Sequence, residues 1–178
     1  MSLKNTAEHY GSVAKFLHWF LAICIVAMLL IGFFYTDFGS QATQLAWLRF
    51  HKSLGMLILA LMIIRIIWQF INITPSSLLP IPRWQHLLSQ LHHWLLYIAL
   101  ILMPISGWIM SIAGGHTPIV FGLFTANAPI PVNKTLASTT LTCHVILAWV
   151  IIALVAMHIL AVLKHWLIDK DNVLQRML

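Results

Sequence analysis

The chain of 178 residues is 61% hydrophobic and only 8% charged, with a formal net charge of +6. A mean hydropathy of +0.92 lies well outside the range of water-soluble domains and points to an integral membrane protein. The few basic residues sit at the edges of apolar runs rather than in a stripe, which excludes a nucleic-acid binder.

The first eleven residues are polar. No small-residue cleavage pattern follows the first apolar run, so that run reads as a retained span and not as a signal peptide. Span one covers about 16–35 and carries His18 near its start. Span two covers about 51–73, opens on His51 and is interrupted by Arg65. Segment 74–90, with Pro75, Pro80 and Pro82, reads as a short extended turn. Span three covers about 91–113, opens on His92 and His93, and contains Pro104 as a kink. Segment 114–140 is rich in glycine and proline yet apolar, and is expected to lie on the membrane surface or cap the bundle. Span four covers about 141–163 and carries His144 and His158. Each span is long enough to cross roughly 30 Å of hydrocarbon. Period-two alternation is missing, so helices, not a barrel, satisfy the backbone. The expected fold is an all-α membrane protein, a four-transmembrane-helix bundle, with residues 1–178 as a single domain.

Orientation follows from the basic residues. Lys4, Lys15, Arg65, Arg83, Lys164, Lys170 and Arg176 fall on the side of the termini, and Arg49, Lys52 and Lys134 on the other. The excess places both termini in the cytoplasm.

Four histidines carry the chemistry. His144 and His158 are fourteen residues apart, which is about 21 Å of rise and close to four full turns. They project from nearly one helix face toward opposite membrane surfaces. By depth His158 pairs with His18 on the inner side, and His144 pairs with His51 on the outer side. A haem iron held between two imidazoles suits each pair, because haem is flat and apolar and replaces side-chain packing between helices. Arg65 lies fourteen residues after His51 and returns to the same face at the inner level, as a propionate partner. Arg49 and Lys52 flank His51. The competing reading is a metal-handling membrane protein using the same imidazoles. It calls for carboxylates beside them, and Glu8, Asp37, Asp169 and Asp171 all lie outside the spans.

Other residues are weaker candidates. His92 and His93 sit at the inner depth, where they suit an alternative ligand, a propionate contact, a quinone head group or plain interfacial solvation. His9, His86, His116 and His165 read as solvated. The eight tryptophans read as an interfacial belt. Cys24 and Cys143 form no C-x-x-C-H motif, so covalent haem is not expected, and Cys143 reads as a small buried thiol.

The stretch around His18-Trp19 resembles the bacterial cytochrome b561 family. So do His51-Lys52-Ser53-Leu54-Gly55, His92-His93-Trp94 through Met103-Pro104-Ile105-Ser106-Gly107-Trp108, and the tail Lys164-His165-Trp166-Leu167-Ile168-Asp169-Lys170-Asp171 through Arg176-Met177-Leu178. The resemblance spans nearly the whole chain. It implies a four-helix bundle enclosing two non-covalent b haems, with His18, His51, His144 and His158 as axial ligands of the iron. It implies electron transfer in the bacterial inner membrane. One kind of member is a superoxide oxidase, an enzyme that passes electrons from periplasmic superoxide to ubiquinone. Others are cytochrome subunits of membrane hydrogenases and formate dehydrogenases, which would require a partner redox subunit. For the superoxide reading, Arg49, Lys52 and Lys134 form a cationic approach to the outer haem. Propionate neutralisation and ordinary solvation explain the same three residues. His93 with Arg83 or Lys15 marks an inner quinone site, and the 114–140 segment an outer one.

Overall fold

The computed structural model describes residues 2–76, 82–171 and 173–178. Four long helices dominate it: α1 Ser12–Phe34, α2 Gln41–Ile71, α3 Arg83–Ala113 and α4 Lys134–Lys164. All four are long and apolar enough to cross a membrane. Their outward faces are studded with exposed Ile, Leu, Val, Phe and Trp, the pattern of a bundle solvated by lipid. α3 packs most extensively on α4, α1 on α2, and α2 on α3.

The helices run past the apolar spans. α2 begins at Gln41 and α4 at Lys134, so His51 and His144 each lie ten residues inside a helix instead of at its start. Segment 74–90 is not one extended turn, because α3 already begins at Arg83; Pro80 falls outside the described residues. His92 and His93 therefore sit more than two turns into α3. Hydropathy marks the hydrocarbon slab, whereas polar first turns such as Arg83-Trp84-Gln85-His86 continue the same helix into the interface. The N-terminus of α4 is fixed by Asn133, whose Oδ1 accepts from the Leu136 N–H at 3.0 Å, a side-chain N-cap. Pro104 lies inside α3 and removes one backbone donor there.

Two apolar clusters form the centre. One joins Leu21 and Cys24 to Leu54, Ile58 and Met62. The other joins Ala99 to Ile151 and Leu154, with Ile25 and Leu29 of α1 packed against it. This core lies between the two histidine levels. Cys24 is buried, but Cys143 is exposed, contrary to expectation. One residue step turns it about 100° away from the face that carries His144.

The α3–α4 connection caps the end opposite the termini. It forms a two-stranded antiparallel hairpin, β1 Ile119–Val120 with β2 Phe124–Thr125. Phe121 and Gly122 take positive φ angles of 48° and 75° in the turn, which the Leu123 N–H closes on the Val120 carbonyl at 2.9 Å. Ser53 pins the hairpin to α2: its hydroxyl contacts the Ile119 carbonyl at 3.1 Å and accepts from the Phe121 N–H at 3.0 Å. The Trp108 indole donates to the Ala126 carbonyl at 2.8 Å. At the other end, buried Arg176 donates to the carbonyls of Glu8 and Ser76, each at 2.8 Å. It ties the C-terminus to the N-terminal segment and to the stretch following α2. His165 is not simply solvated, since its Nδ1 lies 2.6 Å from Asp171 and 3.3 Å from Asp169.

Candidate functional site

The helices bring the four histidines together in two pairs. The rings of His18 on α1 and His158 on α4 have centres 6.1 Å apart. Those of His51 on α2 and His144 on α4 are 6.3 Å apart. With metal–nitrogen bonds of about 2 Å, imidazoles on opposite sides of one iron have ring centres roughly 6 Å apart, so both spacings suit one metal between two rings.

The outer pair, at the hairpin end, is bedded on glycine. A Cβ at Gly32 of α1 would stand 3.1 Å from His51 Cε1, and one at Gly107 of α3 would stand 3.0 Å from His144 Cε1. Only glycine lets each ring lie this close to the neighbouring helix. A cavity of about 260 Å³ adjoins the pair, lined by His51, His144 and Lys52 and otherwise by mostly apolar side chains such as Met28, Leu100 and Ile151. His144 Nδ1 lies 2.9 Å from Ser106 Oγ and 3.1 Å from the Met103 carbonyl. His51 Nδ1 is buried without a partner among the described residues.

The inner pair, at the termini end, is more polar. Arg65 Nη2 lies 3.3 Å from His18 Nδ1, while Arg65 Nη1 is buried and unpartnered among the described residues. A guanidinium has donors only, so this arm is free for an anionic oxygen. His92 stacks on His158 with ring centres 5.8 Å apart and planes within 10°, and its Nε2 is buried and unpartnered among the described residues. His93 also approaches His158, at 5.8 Å, and its Nδ1 sits 2.6 Å from the Ser89 carbonyl of its own helix. Four imidazoles thus converge on this end.

The three basic residues of the outer side do not act alike. Lys52 lines the cavity and donates to Ser111 Oγ at 2.8 Å. Arg49 and Lys134 are exposed and do not line it. Arg49 precedes His51 by two residues, about 200° around the helix. Three positions carried no functional reading in the sequence: Gly32, Gly107 and Ser106. Each matters through a neighbouring helix, and no periodicity within its own helix signals that.

The sequence profile named "Prokaryotic cytochrome b561" matches residues 9–178. The chain belongs to the prokaryotic cytochrome b561 family. Among the relatives of this b561 protein, "Cytochrome b561 homolog 2" of Escherichia coli (strain K12) is 34% identical, covering 100% of this chain and 95% of its own. "Probable superoxide oxidase CybB" of Yersinia pestis is 32% identical over 96% of both chains. "Cytochrome b561 homolog 1" of Escherichia coli is 30% identical, covering 96% of this chain and 97% of its own.

Membership makes this a multi-pass bacterial membrane protein of electron transfer, and the b561 family implies haem b. The site suits that group. Its donors are imidazoles with no carboxylate among them, the wall around the outer pair is apolar, the glycine cradles leave room beside the rings, and Arg65 keeps an unmatched donor.

Proposed function

We propose that this b561 protein holds two b haems, one between His18 and His158 and one between His51 and His144, and carries electrons from superoxide to ubiquinone. The observation that supports this most is the pair of ring spacings, 6.1 and 6.3 Å, at levels about 21 Å apart along α4. Bound haem supplies reversible one-electron storage on its iron. The residues do the rest. With an imidazole pair holding each haem, substrates would need approach and not coordination. Lys52 presents a fixed cation at the outer cavity, which raises the local concentration of a small anion such as superoxide. Arg65 Nη1 would pair with a haem propionate at the inner level. His93 Nε2, left as an acceptor because Nδ1–H is spent on the Ser89 carbonyl, accepts from a ubiquinol hydroxyl.

The stoichiometry is two superoxide anions oxidised to two dioxygen molecules. Their two electrons, with two protons from water on the inner side, reduce one ubiquinone to ubiquinol. The excess of basic residues at the termini end supports an inner-membrane orientation with the termini in the cytoplasm and the outer pair toward the periplasm. The Yersinia pestis relative, named a probable superoxide oxidase, supports superoxide as the donor.

The test is kinetic. Purified protein in detergent, given a superoxide source and a soluble ubiquinone analogue, should form one quinol per two superoxide consumed. Absence of quinol, with haem reduced only after a partner dehydrogenase is added, would assign the chain to the electron-transfer subunits instead.

A further inference from the structure

Resting on the outer pair as a haem site, we propose that Ser106 is a positioning residue that, beside the Met103 carbonyl, accepts from His144 Nδ1–H and lowers the potential of the outer haem. The Met103 carbonyl can only accept. Its contact with His144 Nδ1 at 3.1 Å therefore requires a proton on Nδ1, which leaves the Nε2 lone pair for iron. Ser106 completes the arrangement without conflict. Its hydroxyl donates to the same Met103 carbonyl at 2.7 Å and so accepts from His144 Nδ1–H at 2.9 Å. Ser106 is 8% exposed, and no water is needed to satisfy any of these groups.

The other three ligands lack this arrangement. Among the described residues His51 Nδ1 is buried without a partner. His18 Nδ1 faces the Arg65 guanidinium at 3.3 Å. Among the described residues His158 has ring neighbours but no carbonyl or hydroxyl partner. An acceptor on Nδ1–H makes an imidazole more basic and a stronger donor to the higher oxidation state of a metal. A nearby fixed cation does the reverse, since the reduced centre carries one positive charge fewer. Ser106 and Met103 thus lower the outer potential, against the opposing Lys52 cation at the same cavity.

The experiment is a potentiometric titration followed in the visible spectrum on wild type, Ser106→Ala and Ser106→Cys, with haem per chain measured on each. Cysteine keeps the volume but accepts hydrogen bonds only weakly. The wave that disappears in His51→Ala identifies the outer haem. The expected result is two waves in wild type. In both Ser106 variants the outer wave moves up while the inner wave stays in place. An outer wave that stays put in Ser106→Cys, or two waves that move together, would overturn the positioning role. If Ser106→Ala loses the outer haem, Ser106→Cys alone decides between these outcomes. Fewer than two haems in wild type would instead strike at the two-haem reading.

Discussion

Gly107 lies directly beneath the imidazole of His144: a Cβ added there would stand 3.0 Å from Cε1 and 3.3 Å from Nδ1. The contact joins α3 to α4 at the proposed haem ligand, three residues after Pro104 and one after Ser106. It leaves a methyl group no room unless the ring shifts. A displaced ring loses both the Met103 carbonyl and its alignment with His51.

Gly107→Ala should therefore weaken outer haem binding by about 10–100-fold, the usual scale for disturbing the groups that orient a metal ligand. Haem per chain measured after gel filtration should fall toward one, with the inner haem retained. Gly32→Ala, whose Cβ would meet His51 Cε1 at 3.1 Å, should act on the same haem. Two haems retained in both variants would show that the rings tolerate the methyl.

Lys52 and Arg49 should separate in their effect on superoxide oxidation. Lys52 lines the outer cavity while Arg49 is exposed and turned away from it. Lys52→Gln should lower the second-order rate by about tenfold at low ionic strength and flatten its salt dependence. Arg49→Gln should cost clearly less. Stopped-flow reduction of the haem by superoxide checks this, with haem content held equal. Equal losses would point to the net charge of that face rather than to one placed cation.

Arg176 holds the termini end together. It donates to the Glu8 and Ser76 carbonyls while 8% exposed. Arg176→Ala leaves both carbonyls without their charged donor, at a cost of about 2–3 kcal/mol. The detergent-solubilised protein should unfold at lower temperature and be cut sooner in its N-terminal segment, with both haems still present. An unchanged melting curve would show that the tie carries no stability.

The sequence carries vertical information well and lateral information poorly. Rise per residue sets the His144–His158 separation and puts His51 and His18 at matching depths, because depth depends on one helix at a time. Helix ends were less legible, since apolar runs report the hydrocarbon and not the polar turns beyond it; hence His51 and His144 lie ten residues inside their helices. Which face meets a neighbour was not legible either. Cys143 was expected buried and is exposed. Ser106 reaches His144 only because α3 and α4 cross in one particular register. The stacking of His92 on His158 has the same origin.

The most direct test of the account is a pyridine haemochrome assay on purified protein, with a reduced-minus-oxidised spectrum, repeated for His158→Ala and His144→Ala. The account predicts two b haems per chain in wild type and one in each variant, with a different haem surviving in each. One haem in wild type, or the same haem lost in both variants, would contradict the two-pair arrangement.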